Sequence, residues 1–401
     1  MNLTIVIPVL NEEEAIGSTI QRCQASVSKI IGLTSVEEVE IVVVSDGSTD
    51  RSVEIAKSFT GIQVVVFGEN RGYGAAIKAG WELCQGDLLA FLDGDGTCSP
   101  DYFVDMCLLI EKEDVDVVLG SRMGKNSKMP KVRRLGNTLF AMLLKFLSKK
   151  NLTDSASGMR VVKRSSLNQI LPLPDGLHFT PAISARVLMD RHLKIAEIDM
   201  DYEERIGRSK LSAIKDGLQF LKVILSTALY IRPSSLSIPL SVVIFLFGLV
   251  VAAYPVLYYF DHGAFQEKMI YRFILLFLMG NVLMTILCAT IIAEHTIALT
   301  LLRYNRYIGF NKSWWAPNKM KIYLTIAGVF SVIALALIFP ALLKFVETGN
   351  SPPLHWSRMM FSGFLFLDFI QLIVTALLIG IIDSLNDRQA FLLKKDGSSY
   401  T

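Results

Sequence analysis

At 401 residues the chain exceeds one ordinary domain and fits two or three. It is 52% hydrophobic and 19% charged with a formal net charge of +3, whereas soluble proteins average about a quarter charged. These values exclude a disordered polar chain and a strongly basic nucleic-acid module, and they point to a water-soluble domain joined to a membrane domain.

The first half alternates short apolar runs with helical stretches. Leu3–Pro8, Glu40–Val44, Gln63–Phe67, Asp87–Leu92 and Val115–Leu119 read as strands. Segments near Glu12–Val27, Arg51–Phe59, Gly74–Cys84 and Asp101–Ile110 read as helices. The alternation predicts an α/β fold with a mostly parallel sheet. Leu3–Leu10 is too short for a secretion signal, lacks a basic flank and runs into Glu12–Glu14, so this half is expected in the cytosol. The five cysteines form no CxxC pair, which fits a reducing compartment better than a zinc site or a disulfide framework.

From residue 211 the pattern changes. Leu211, Ile214, Leu218, Leu221, Leu225 and Leu229 step by three and four through Leu211–Ile231. This spacing predicts an amphipathic helix lying in a membrane surface, the alternative being a helix packed on the soluble core. Leu236–Phe260, Phe273–Leu302, Ile322–Leu343 and Met359–Ile382 are then long enough to span a bilayer. They are apolar all round, unlike the helices of a water-soluble bundle. Only Glu294, His295 and Asp368 ionise within them.

Lys and Arg set the orientation. The middle loop holds Arg303, Arg306, Lys312, Lys319 and Lys321, and the tail holds Arg388, Lys394 and Lys395. The other two loops carry only Lys268 and Arg272, then Lys344 and Arg358. The N-terminal domain, the middle loop and the tail are therefore expected on the cytosolic side. The chain divides into residues 1–210, an interfacial helix and linker at 211–235, four spans over 236–386 and a tail at 387–401.

Polar clusters fall at the predicted strand ends, where α/β sheets hold ligands: Asn11–Glu14, Ser45–Asp50, Glu69–Gly74 and Asp93–Ser99. There is no GxxxxGK[ST], no GxGxxG after the first strand, no GxSxG and no HExxH. What stands out is Asp93-Gly94-Asp95. Two carboxylates at a strand end offer hard oxygens suited to Mn²⁺ or Mg²⁺, with a substrate diphosphate completing the shell.

Taken in order, the motifs are Ile7-Pro8-Val9-Leu10-Asn11-Glu12-Glu13, Ser45-Asp46-Gly47-Ser48-Thr49-Asp50, Asn70-Arg71-Gly72-Tyr73-Gly74-Ala75-Ala76, Asp93-Gly94-Asp95, Gly120-Ser121-Arg122, Ser157-Gly158-Met159-Arg160 and Arg205-Ile206-Gly207-Arg208-Ser209-Lys210. This set resembles the family 2 glycosyltransferases of GT-A fold, a Rossmann-like α/β architecture. Within them it is similar to the dolichol-phosphate mannose synthase and polyprenyl-phosphate glycosyltransferase branch. The likeness runs from Met1 to about Phe220, and the four-span region resembles other members by topology only.

The resemblance implies a membrane-bound inverting transferase. It would move a sugar from a nucleoside-diphosphate sugar, GDP-mannose or a UDP-hexose, to a dolichyl or undecaprenyl phosphate. By the same resemblance, Pro8, Asn11, Glu12 and Asp46 would line the nucleotide pocket. Asp93 and Asp95 would hold the metal, and Asp95 and Arg205 would act in catalysis. Arg205, Ser209 and Lys210 would close over the donor phosphates, with Arg122 and the Arg133–Arg134 pair facing the acceptor phosphate.

Three departures stand against that pattern. The family's double acid is Ser45-Asp46 here, and Thr97 replaces the glutamine that follows the second metal aspartate in the mannose synthases. No tryptophan follows an arginine, so the QxxRW of the processive synthases is missing. Two alternatives stay open: a glycolipid synthase using a lipid hydroxyl, and an inactive scaffold or transport component. The setting would be the plasma membrane of a prokaryote or the endoplasmic reticulum of a eukaryote.

Overall fold

The computed structural model of the chain describes residues 1–206, 212–302, 319–349 and 355–397. Two compact units divide it, Met1–Ile231 and Arg232–Thr401.

In the first unit, β1 (Asn2–Val9), β2 (Glu38–Ser45), β3 (Gln63–Val66), β4 (Leu88–Leu92) and β5 (Val117–Ser121) alternate with α1 (Ile16–Leu33), α2 (Ser52–Lys57), α3 (Tyr73–Leu83) and α4 (Tyr102–Glu113). These are the expected strands and helices, each strand end lying within two residues of its predicted place. Then follow α5 (Lys131–Ser148), β6 (Met159–Lys163), α6 (Arg164–Ile170), α7 (Phe179–Met189), β7 (Ile195–Asp199) and α8 (Ala213–Ile231), of which only α8 was foreseen.

One seven-stranded sheet runs β3-β2-β1-β4-β6-β5-β7. Every pairing is parallel except those of β6, which runs antiparallel to both β4 and β5. Side chains alternate across a strand, so the apolar run of β1 feeds two cores. Leu3, Ile5, Ile7 and Val9 pack with Ile16 and Ile20 of α1 and Phe103 and Met106 of α4. Val6 packs on the other face with Ile77 and Trp81 of α3 and Phe179 and Ile183 of α7. Each fully buried side chain of this kind adds about 1.5–3 kcal/mol of transfer free energy. With helices on both faces, the strand ends are the part of the sheet left open for a site.

Helix α8 packs Ile224 and Ala228 into the unit, while Ile214, Leu218, Leu221 and Leu229 of the predicted stripe point outward. It lies alongside α5 and α7, with the Phe140 and Phe220 rings 5.9 Å apart.

The second unit comprises α9 (Ser234–His262), α10 (Ile270–Leu302), α11 (Lys319–Thr348) and α12 (Trp356–Gly397). All four are long and apolar enough to cross a membrane, so this is a membrane protein. Its core is small and centred on Cys288, Tyr323, Ala327, Leu372, Ala376 and Ile379. The helix α12 continues to Gly397, past the expected end of the spans at residue 386. Asp368 is buried, and its Oδ1 has no hydrogen-bond partner among the described residues. The middle loop with Arg303, Arg306 and Lys312 lies outside the described residues.

Candidate active site

The C-terminal ends of β1, β2, β4 and β5 open into one cavity of about 800 Å³. Pro8, Glu12, Asp46, Asp93, Asp95, Arg122, Arg133 and Arg205 all line it. Eight of the twelve candidate residues thus come together from segments far apart in sequence.

The two aspartates are held differently. Asp93 directly follows β4 and is half-buried. Its Oδ1 accepts the Tyr73 hydroxyl at 2.6 Å, and its backbone N–H donates to the Gly158 carbonyl at 3.2 Å. A Cβ on residue 158 would run into the Asp93 carboxylate, which accounts for glycine there. Burial, and after it the Asp95 charge, pushes the Asp93 carboxyl up to about 7. Burial also raises the Tyr73 hydroxyl well above its ordinary value, so it stays a donor. Asp95 faces the cavity from the turn beyond. Its Oδ1 accepts the Thr97 hydroxyl at 2.7 Å, and its Oδ2 lies 3.3 Å from Arg205 Nη1.

Arg205 bridges two acids, since its Nη2 also pairs with Glu12. Its Nε is buried without a hydrogen-bond partner among the described residues. That is an unsatisfied buried donor on a residue of the cavity wall, and Arg forks of this kind suit an anionic ligand.

Asp46 is 4% exposed. Its Oδ1 accepts the N–H groups of Arg71 at 2.6 Å and Gly72 at 3.0 Å. The carboxylate therefore clamps the turn before α3. Gly72 has φ +109°, and a Cβ there would meet the Asp175 carbonyl, so only glycine fits. Asn11 stands beside the cavity instead of in its wall, its side-chain carbonyl accepting the Thr49 N–H at 2.7 Å.

The arginines separate by role. Arg122 makes a two-pronged pair with buried Asp154, Nε to Oδ2 at 2.7 Å and Nη2 to Oδ1 at 2.9 Å. Burial alone would raise the Asp154 carboxyl, but Arg122 outweighs it and holds the group below its ordinary value. Arg133 lines the cavity, whereas Arg134 donates to the Met123 carbonyl at 2.6 Å and holds that loop. Ser209 and Lys210 lie outside the described residues.

Sequence reasoning missed Tyr73, Asp154 and Gly158, though Tyr73 and Gly158 sit inside motifs already singled out. It also missed the cavity's second character. Val132, Leu135, Leu139 and Phe140 of α5 and Ile214 and Phe220 of α8 form an apolar wall continuous with the charged end. Among the described residues no group of three or more His, Cys, Asp or Glu could hold a metal. A cation here would rest on Asp93 and Asp95, with further oxygens from a ligand. Two hard carboxylates facing one cavity fit Mn²⁺ or Mg²⁺ in that partial way.

Residues 4–171 match the family model for glycosyl transferase family 2. The chain is 33% identical over 229 residues to the dolichyl-phosphate hexose transferase of Haloferax volcanii, covering 57% of this chain and 94% of that protein. It is 30% identical over 222 residues to the undecaprenyl-phosphate 4-deoxy-4-formamido-L-arabinose transferase of Pectobacterium atrosepticum, covering 53% of this chain and 64% of that one. Among solved structures, glucosyl-3-phosphoglycerate synthase from Mycobacterium tuberculosis in complex with UDP aligns over 57% of this chain and 80% of its own. There the identity is 24% and the TM-score 0.46. The same enzyme is also seen in crystals with Mn²⁺ and with Mg²⁺.

Proposed function

The chain belongs to glycosyl transferase family 2, and from that premise we propose that it is a membrane-embedded inverting enzyme transferring a hexose from a nucleoside-diphosphate sugar to a polyprenyl phosphate. The observation that carries this reading is the two-sided cavity. One end gathers Asp93, Asp95 and Arg205, and the other is walled by apolar side chains of α5 and α8. A charged donor and a lipid acceptor need such an arrangement.

In this reading the donor lies along the ends of β1, β2 and β4, with Pro8 and Glu12 in its wall and Asp46 fixing the turn at its edge. Asp93 and Asp95 are the residues that would hold Mn²⁺ or Mg²⁺, an ion that neutralises diphosphate charge when bound. Arg205 brings its positive charge to the donor phosphates from the cavity wall, and Ser209 and Lys210 follow it in sequence. Arg133 faces the acceptor phosphate from α5. Arg122, its Nε and Nη2 held by Asp154, lines the same cavity.

A phosphate monoester has a second pKa of about 6, so it is already an anionic nucleophile at neutral pH and needs no strong base. One phosphate oxygen bonds to the anomeric carbon as that carbon's bond to the leaving diphosphate breaks, inverting the centre. Arg205 holds the charge that develops on the leaving group. The Lys and Arg distribution around the spans supports a cytosolic site.

The test crosses labelled GDP-mannose, UDP-glucose and UDP-N-acetylglucosamine with a polyprenyl phosphate and a diacylglycerol. A metal-dependent, acid-labile polyprenyl product is expected. Product on diacylglycerol alone would replace this reading with a glycolipid synthase, and no nucleotide-sugar binding with Mn²⁺ would replace it with an inactive scaffold.

A further inference from the structure

The helix α1 carries two kinds of residue on its inner side. Ile16, Ile20, Cys23 and Ile30 are buried in the core, as an amphipathic helix requires. Along their edge run Thr19, Arg22, Ser26 and Lys29, spaced by three and four and so on one face. Thr19 and Ser26 are each 2% exposed. Polar groups at the edge of a core cost stability unless each finds a partner.

All four find partners in one segment, residues 94–101, which carries Asp95 and leads into α4. The Thr19 hydroxyl shares its proton between the Ala15 and Gly94 carbonyls, at 3.1 and 3.4 Å. Arg22 donates from Nη1 to the Gly96 carbonyl at 3.1 Å and from Nη2 to the Cys98 carbonyl at 3.3 Å. The Ser26 hydroxyl and Lys29 Nζ reach the Asp101 carboxylate at 2.6 and 2.7 Å.

Between the two carbonyls that Arg22 grips stands Thr97, which is fully buried. Its N–H and its hydroxyl both donate to Asp95 Oδ1, at 3.2 and 2.7 Å. Its own carbonyl accepts the Glu203 N–H at 2.9 Å. The guanidinium therefore spans residues 96–98 from the α1 side, while Thr97 holds Asp95 from within the turn. Arg22 makes no ion pair among the described residues and does not line the cavity. Its planar fork serves backbone carbonyls, a use that fixes geometry.

We propose that Arg22 is the positioning residue of the cation-binding turn. By clamping the Gly96 and Cys98 carbonyls it sets Thr97, and through Thr97 it sets the Asp95 carboxylate that faces the ion and the donor diphosphate. This rests on the reading in which Asp93 and Asp95 hold that ion. The sign of the effect separates positioning from charge. Arg22 is a cation near a cation's site, so losing its charge alone would tighten Mn²⁺ binding. Losing its clamp weakens Mn²⁺ binding.

The test is a Mn²⁺ titration of full-length protein in detergent, read from the electron paramagnetic resonance signal of the free ion, with and without UDP. Arg22→Met should lower Mn²⁺ affinity about 10- to 100-fold, the scale for removing support from a ligating group. Arg22→Lys keeps the charge but replaces the fork with a point donor. It should lose less, and it carries the test if Arg22→Met does not fold. Thr97→Val should weaken Mn²⁺ to a similar degree. Arg22→Met/Thr97→Val should lose little more than either variant alone, because both residues act along one path. Affinity unchanged or raised in both Arg22 variants, with Asp95→Asn still weakened, overturns the role of Arg22 alone. A fall in melting temperature without a fall in affinity does the same, since packing alone gives that result. Losses that multiply in the double variant also overturn it, because the two residues then act separately. Unchanged affinity in Asp95→Asn overturns the metal assignment and this proposal with it.

Discussion

The two units use the same apolar residues in opposite directions. In the catalytic unit Ile5, Val6, Leu89 and Phe91 are fully enclosed between sheet and helices. In the membrane unit Phe247, Val250, Leu257 and Phe345 point outward, and the packed core is a thin seam where α12 meets α10 and α11. Water drives the first arrangement by excluding apolar surface. Lipid supplies no such drive, so spans keep their greasy faces outside and join through close packing. Helices α5 and α8 combine both arrangements, each with one face in the core and one apolar face outside.

The sharpest way to break this comparison is chemical. Asp95→Asn should lower kcat by about 100- to 1000-fold, the scale for losing one group that stabilises developing charge. Secondary structure and melting temperature should stay near wild type, since asparagine can keep the Thr97 contact and Arg205 retains its pair with Glu12. A turnover close to wild type contradicts its place in the site.

Solvent inversion gives the next effect. Val250→Asp in the first span should impair insertion by about 2.5–3.5 kcal/mol, read as loss of membrane-integrated protein. Leu83→Asp, at a comparably exposed position of the catalytic unit, should shift stability by no more than about 0.5 kcal/mol. Equal effects at the two positions would erase the distinction.

Within the cavity, Tyr73→Phe keeps the ring against Phe91 and Phe179 but removes the donor to Asp93. Such support for a ligating group is worth about 10- to 100-fold in metal affinity. Mn²⁺ titration should show that loss with little change in melting. Gly158→Ala should act on the same carboxylate by collision, lowering both affinity and stability by about 1–3 kcal/mol.

The smallest effect is a pH dependence. Asp93 has its folded pKa near 7, above the ordinary value of 3.8. The folded protein then binds a proton more tightly than the unfolded chain between those values. Metal-free stability contributed by this group is present below about pH 4 and declines as pH rises toward 7. Asp93→Asn should flatten that slope in thermal melts from pH 5 to 8, whereas a parallel slope in the variant would assign it to another group.

Much of this was legible in the sequence. Apolar runs ending in acids located β1, β2 and β4, because a central parallel strand must be apolar on both faces while its end carries the site. The strand β6 escaped notice because its short apolar run, Met159, Val161 and Val162, is interrupted by Arg160 and followed by Lys163. The Arg160 guanidinium donates from Nη2 to the Ser155 carbonyl and from Nε to the Ser157 carbonyl, contacts that only the fold assembles, while its Nη1 has no hydrogen-bond partner among the described residues. The role of Asp46 was half legible. Its position by the cavity followed from its motif, but its commitment to the N–H groups of Arg71 and Gly72 did not. Arg133 and Arg134 are adjacent in sequence, yet the step of about 100° between helical neighbours sends one to the cavity and the other to a loop carbonyl. The outer apolar face of α5 is written in its spacing, but apolar residues also fill the opposite face, so only burial tells inside from outside.

The measurement that bears most directly on the account is transfer by full-length protein in vesicles, with polyprenyl phosphate and diacylglycerol offered together and each labelled nucleotide sugar tested with Mn²⁺ and with chelator. The account predicts one labelled product, on the polyprenyl phosphate, released by mild acid and abolished by chelation. A product on diacylglycerol, or on polyprenyl phosphate with equal yield in chelator and in the Asp95→Asn variant, would contradict it.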